Sequence, residues 1–246
     1  MPERRPVRRG QDPSFPPFVF PDYRSTTSRA PSLPLVEPPT ALADIGGPGP
    51  VLAQMIEEVA DLTSNAGTGE VAMGERIIVT GTLRDPGGDP VPSAVIEIWQ
   101  ANAAGRYLHD DDRHDAPLDP NFTGIGRCLT DETGVYRFLS VRPGAYPWGN
   151  HPNAWRPSHV HLSIFGTSFS DRLVTQMYFP GDPLQAIDPI FNSIPDPAAR
   201  DRLVARYDHH VTESDWALGF RFDVTLAGPT ATPFEDPDDG RRVHAG

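Results

Sequence analysis

Three things are scarce in this chain. It holds one cysteine, Cys128, among 246 residues, which excludes an intrachain disulfide and fits a reducing compartment. No apolar run approaches the roughly 20 residues that a membrane-spanning helix needs. Positive charge is also short: 21 Lys and Arg stand against 33 Asp and Glu, a formal net charge of −12. That balance argues against nucleic acid and anionic membrane surfaces as partners. Four arginines fall within the first ten residues, but no apolar segment follows them, so they do not read as a secretory signal. A cytoplasmic protein is the expectation.

Proline, by contrast, is abundant. The 29 prolines and 22 glycines disfavour long helices and favour short strands joined by turns. Ten of the prolines lie in residues 1–40, where little periodicity survives, so this stretch reads as an extended arm. Its aromatics, Phe15, Phe18, Phe20 and Tyr23, suggest that it lies on a surface. Residues 51–62 carry apolar side chains at helical spacing. From residue 74 the pattern is β. Residues 75–83 and 94–100 flank Asp85-Pro86-Gly87-Gly88-Asp89-Pro90 and read as a hairpin, as do 127–130 and 135–141 around Asp131-Glu132-Thr133-Gly134. Further strands are expected at 158–164, 172–179 and 217–226. Asp196-Pro197 opens a predicted helix to about Tyr207, with Asp as cap and Pro at the first helical position; His209 and His210 would then sit at its C-terminal end. About seven strands predict an all-β fold, a β-sandwich with a few short helices. The organisation expected is an arm over 1–40, a catalytic domain over 41–228 and a tail over 229–246.

Two long loops, 102–126 and 142–157, interrupt the strands, and loops of that length in a compact domain usually carry function. The second leads into Ser158-His159-Val160-His161-Leu162-Ser163-Ile164. Alternation along a strand puts His159 and His161 on one face and Val160, Leu162 and Ile164 on the other. The two imidazoles start about 6.6 Å apart at the backbone, two residues of strand rise, close enough to lean onto one metal ion. On their own, two such histidines fit a half-exposed polar strand equally well. Each loop also presents a tyrosine near its start, Tyr107 and Tyr146, and a lone tyrosine in a β-protein is usually packing. Cys128 reads as a buried strand residue rather than a nucleophile.

Taken together, several segments resemble the intradiol ring-cleavage dioxygenases, most closely the iron-bearing subunits of those acting on protocatechuate. They include Trp99-Gln100-Ala101-Asn102, Gly105-Arg106-Tyr107, Tyr146-Pro147-Trp148, Trp155-Arg156-Pro157-Ser158-His159-Val160-His161 and Gln176-Met177-Tyr178-Phe179. The resemblance spans roughly residues 23–228, and the 39 positions from Tyr107 to Tyr146 and 52 from Tyr107 to His159 match as well.

The resemblance implies a non-haem Fe(III) held by Tyr107, Tyr146, His159 and His161, with Tyr146 and His161 axial and a hydroxide in the fifth place. Phenolates are hard anionic donors that favour Fe(III), whereas O2-binding Fe(II) oxygenases use two histidines and a carboxylate. The implied reaction opens a catechol between its oxygenated carbons and puts both atoms of O2 into a cis,cis-muconate, here the 3-carboxy form. Tyr146 would be the ligand that leaves as substrate binds. Arg156 would stabilise negative charge on the substrate ring, with Gln176 hydrogen-bonding to it or to the substrate. Trp148, Trp99 and Ile190 would wall the pocket, although plain core packing accounts for Trp99 equally well, and Tyr23 would lie near the substrate's entrance or its carboxylate. The implied partner is a homologous alpha subunit in an αβ hetero-oligomer.

Other readings compete. Another intradiol enzyme would act on catechol, hydroxyquinol or a substituted catechol. A metal-free β-sandwich binding module would not have four intact ligands. A zinc hydrolase would need a third nearby histidine or a catalytic carboxylate. The loop histidines His109, His114 and His151 are not assigned to metal.

Overall fold

Among the described residues, seven strands of four residues or more form two facing layers; of four two-residue strands, two edge one of these layers and two pair only with each other. The computed structural model describes residues 13–17, 20–25, 57–166 and 172–233. Most of the expected arm, residues 51–56 of the predicted helix and residues 234–246 of the tail lie outside that set.

One sheet runs β3 (Ile125–Leu129), β2 (Val95–Trp99), β7 (His159–Phe165), β8 (Arg172–Tyr178), antiparallel throughout. The other centres on β1 (Arg76–Arg84). It pairs antiparallel with β4 (Val135–Val141) and parallel with β10 (Leu218–Arg221) and β11 (Val224–Thr225), while β9 (Arg206–Tyr207) edges β10. A two-strand ladder, β5 (Tyr146–Pro147) with β6 (Trp155–Arg156), stands apart. Two short helices, α1 (Pro189–Asn192) and α2 (Pro197–Asp201), follow β8. The core lies between the layers, where Ile77, Val79 and Leu83 of β1 meet Ile96 and Ile98 of β2 and Val160, Leu162 and Ile164 of β7.

Both predicted hairpins are corrected. β1 and β2 sit in different sheets, as do β3 and β4. The turns themselves have the expected chemistry: the Asp85 carboxylate accepts from the amides of Gly87 and Asp89, and that of Asp131 from Thr133 and Val135. Such turns reverse the chain without deciding whether the flanking strands pair edge to edge or stack face to face. Here each strand has an apolar face to bury, and stacking buries both against one core.

The helix predicted over 196–207 is also corrected. Asp196 caps α2, accepting from the Ala198 amide, but the helix stops at Asp201. Beyond it, Tyr178 at the end of β8 donates to Leu203 O and accepts from Ala205 N, both at 2.8 Å. Pairing to a sheet edge overrides helix propensity. His209 and His210 therefore follow β9 in a turn, where the His210 amide donates to Asp208.

Residues 57–62 are likewise not helical. Val59 pairs with Arg127, and Leu62 N donates to Leu139 O. This segment runs extended between β3 and β4 and seals the core with Leu62. The expected final strand divides into β10 and β11, and the Tyr136 hydroxyl donates to the carbonyl of Phe222 between them.

Candidate metal centre

β7 is flanked by ladders on both sides, with His161 opposite Trp99 of β2 and Gln176 of β8, and His159 opposite Tyr178. Val160, Leu162 and Ile164 face the core. The opposite face is also covered: His159 and His161 are buried, with Tyr107 and Tyr146 of the two long loops against their rings. The indole of Trp99 stacks on the His161 ring, centroids 4.8 Å apart and planes 7° from parallel. His159 Nδ1 lies 2.7 Å from the Pro157 carbonyl. A carbonyl only accepts, so Nδ1 carries the proton and Nε2 presents a lone pair. That Nε2 is 3.2 Å from His161 Nε2. Nitrogens each about 2 Å from one ion stand roughly 3 Å apart. Burial holds His159 well below the usual imidazole range, helped by the Arg156 charge and by the neighbouring His161 ring, and the Pro157 carbonyl opposes this only in part. The ring is neutral, as a metal ligand must be.

The tyrosines arrive differently. Asn102, at the end of the β2 segment, ties both loops together. Its amide oxygen accepts from Ala104 N and Arg106 N, its amide nitrogen donates to Pro117 O, and its backbone carbonyl accepts from both Gly105 N and Gly144 N, all at 2.9 Å. The two glycine turns pack backbone to backbone. A Cβ on Gly105, whose φ is +81°, would stand 2.1 Å from Ala145 O, and one on Gly144 would stand 2.5 Å from Gly105 N. No other residue permits that approach. Tyr107 and Tyr146 each follow two residues after these glycines, and their rings meet edge to face at 5.3 Å. Tyr146 Oη is 3.4 Å from His159 Nε2, and the Tyr107 ring is 6.4 Å from that of His161. Among the described residues no three His, Cys, Asp or Glu side chains form a metal-binding group; the convergence is two imidazoles with two phenols.

Arg156 lies opposite Tyr146 in the β5–β6 ladder. It is 1% exposed, and a guanidinium so buried needs a counter-charge. Asp188 supplies it, with Oδ1 3.2 Å from Arg156 Nε. Nη2 reaches Gln176 Oε1 and Tyr178 Oη, and Nη1 stands 3.5 Å from Tyr146 Oη. The guanidinium also covers the Trp148 ring at 5.5 Å. Sequence reasoning assigned no role to Asp188, Tyr178 or Asn102. Asp188-Pro189 repeats the capping signature of Asp196-Pro197, and Asp188 does cap α1, but nothing in the sequence paired it with Arg156.

Tyr23 rests 5.5 Å from Trp148, ring to ring. Trp148 Nε1 is buried and has no hydrogen-bond partner among the described residues. Ile190 sits half-buried in α1, its amide donating to Asp188. The loop histidines go elsewhere: His109 beside Asp111, His114 edge-on to Trp155, and His151 accepting from Asn153 N.

A family model described as "Dioxygenase" matches residues 48–228, and one described as "Protocatechuate 3,4-dioxygenase beta subunit N terminal" matches residues 7–39. The protocatechuate 3,4-dioxygenase beta chain of Burkholderia cepacia is 56% identical over 223 residues, covering 91% of this chain and 94% of that one. The alpha chain of the Pseudomonas putida enzyme is 30% identical over 167 residues, 67% of this chain and 78% of that one. Among solved structures, 3-chlorocatechol 1,2-dioxygenase from Rhodococcus opacus aligns over 68% of this chain and 64% of that one at 24% identity, with a TM-score of 0.51, which speaks to the fold. By the extent of these matches the chain belongs to the intradiol ring-cleavage dioxygenase family.

Proposed function

We propose that this chain is the iron-binding subunit of an enzyme that cleaves protocatechuate between its two hydroxylated carbons, with O2 as oxidant and 3-carboxy-cis,cis-muconate as product. The observation that carries the reading is the convergence of Tyr107, Tyr146, His159 and His161 beside a buried arginine, in a chain 56% identical to a protocatechuate 3,4-dioxygenase beta chain. The donor set fits Fe(III): two imidazoles and two phenols, which titrate near 10 when free and are held deprotonated by the charge of the ion. Bound there, ferric iron would chelate the catechol as a dianion and draw electron density from its ring.

The protein's residues supply the rest. Tyr146 Oη, held as a phenolate while the ion is bound, would take up one catechol proton as substrate enters, and hydroxide would take the other and leave as water. Arg156 stays charged at any working pH, so it is not a base; it stabilises negative charge that develops on the ring. Gln176, Tyr178 and Asp188 fix its plane. Trp148 walls the pocket, with Tyr23 beyond it and Ile190 placed by the Asp188 cap. The buried outer face of β7 keeps water from the imidazoles. Residues 41–228 are taken as the catalytic unit, with 1–40 as arm and 229–246 as tail. A homologous alpha chain is the proposed partner, in an αβ hetero-oligomer in the cytoplasm.

A visible spectrum before and after anaerobic addition of protocatechuate tests the reading. Phenolate-to-Fe(III) charge transfer gives a red-brown protein whose broad band shifts with substrate. An iron-loaded protein without that band would remove the tyrosines from the centre.

A further inference from the structure

The second long loop carries a third device beyond Tyr146 and Trp148. Two residues past Trp148 stands Asn150, buried at 6% exposure. Its amide oxygen accepts from Arg24 N and from Ser25 N at 3.1 Å, and its amide nitrogen donates to Asp22 O at 2.8 Å. One side chain thus satisfies three backbone groups of a segment at least 125 positions away in sequence. Tyr23 lies inside that segment, its amide closing a turn onto Phe20 O, and its ring is the one set against Trp148.

The order of groups leading outward matters. From His159 it runs to Tyr146 Oη at 3.4 Å, to Arg156 Nη1 3.5 Å further, then to Trp148 under the guanidinium, then to Tyr23. On the proposed reading, with the catechol hydroxyls at the centre and Trp148 walling the pocket, Tyr23 stands beyond that wall, where only a ring substituent directed away from the hydroxyls would reach it.

We infer that Asn150 is a positioning residue for substrate specificity: by latching residues 22–25 it holds Tyr23 at the outer end of the pocket, where a polar or anionic substituent distal to the catechol hydroxyls is read. The inference rests on the proposed reading of the centre. It separates the arm's contribution from the metal chemistry, because Asn150 touches the arm and none of the four candidate ligands.

The test uses the full-length, iron-loaded chain assembled with its alpha partner, with Asn150→Ala, Asn150→Asp, Tyr23→Phe and the double variant Asn150→Ala/Tyr23→Phe in this chain. Steady-state O2 consumption is measured with protocatechuate and with catechol, and protocatechuate affinity by anaerobic difference spectra. Asn150→Ala is expected to raise KM and Kd for protocatechuate about tenfold, the scale of losing hydrogen bonds to buried backbone groups. kcat/KM for catechol should stay within about twofold, with iron content and the visible band of the resting protein unchanged. Asn150→Asp keeps the acceptor and loses the donor, so it should fall between, and it replaces the alanine variant should that fail to fold. The double variant should add little to the alanine variant, since groups in one contact are not additive. Equal losses for both substrates, an unchanged protocatechuate KM or additive effects would each overturn the inference while leaving the centre intact. An iron-loaded wild type inactive on both substrates would overturn the reading of the centre, and the specificity inference with it.

Discussion

His159 and His161 stand two positions apart on a seven-residue strand with ladders along both edges, whereas Tyr107 and Tyr146, 39 positions apart, come from two different loops. The strand sets the imidazole spacing as a by-product of its pleat, and the core behind Val160, Leu162 and Ile164 holds it there. The phenols have no such frame. Their spacing depends on Asn102, on two glycines without side chains and on a two-residue ladder that places Tyr146 across from Arg156. The histidine half is therefore insured by the fold, and the tyrosine half by a handful of hydrogen bonds.

The largest expected effect breaks the loop half outright. On the proposed reading, Tyr107→Phe removes one anionic donor and leaves the histidine half intact. Iron content of the purified protein is expected to fall to a small fraction of wild type, and turnover with it. Full iron with normal turnover would remove Tyr107 from the ligand set.

Arg156→Ser separates charge from ligation. The protein should retain iron while kcat falls by about 10²–10³, the usual cost of losing a preorganised electrostatic group. Loss of iron instead would make Arg156 a structural support of the β5–β6 ladder. The same variant leaves Asp188 buried without its counter-charge, so thermal stability should drop as well.

Asn102→Ala sharpens the contrast between the two halves. It leaves the amides of Ala104 and Arg106 and the carbonyl of Pro117 without their side-chain partner, a loss of about 2–6 kcal/mol if two go unpaired. Thermal unfolding should report that loss. At matched iron content the tyrosinate band should broaden and shift, because the phenols are no longer held together. A stability loss with an unaltered band would show that the loops find their spacing without Asn102.

The same contrast explains what was legible in the sequence. Alternation put His159 and His161 on one face of β7, and the strand obeys it; what alternation did not reveal is that loops cover that face. Turn chemistry located the reversals at Asp85 and Asp131 but not the partners of the strands, because pairing and stacking share the same turns. The helix after Asp196 had a proper cap and the wrong end, since a sheet edge at Tyr178 competes for Leu203 and Ala205. Asp188 and Asn102 are legible only as a cap and a loop residue. Their roles lie in contacts made across 32 and 42 positions, and no local pattern encodes those.

The smallest effect concerns the dry interior, which the centre borders without using. Cys128 lies in β3, facing the core, and burial pushes its thiol up to about 12, with the Glu58 carboxylate adding to the shift. The folded protein keeps the thiol protonated where an unfolded chain, at 9.0, loses its proton. Above pH 9 the unfolded state therefore binds fewer protons, and stability falls with rising pH by up to about 1.4 kcal/mol per unit from this group. Tyr136, pushed up by the same burial, adds a slope of its own, so the cysteine's share is read as the difference between wild type and Cys128→Ala in denaturant titrations from pH 8 to 10. Below pH 9 the native thiol should resist a disulfide reagent until the protein unfolds. Rapid labelling of native protein would mean that the sandwich opens at β3, the strand that the extended segment through Val59 pins, and that the interior is less well insured than the histidine strand beside it.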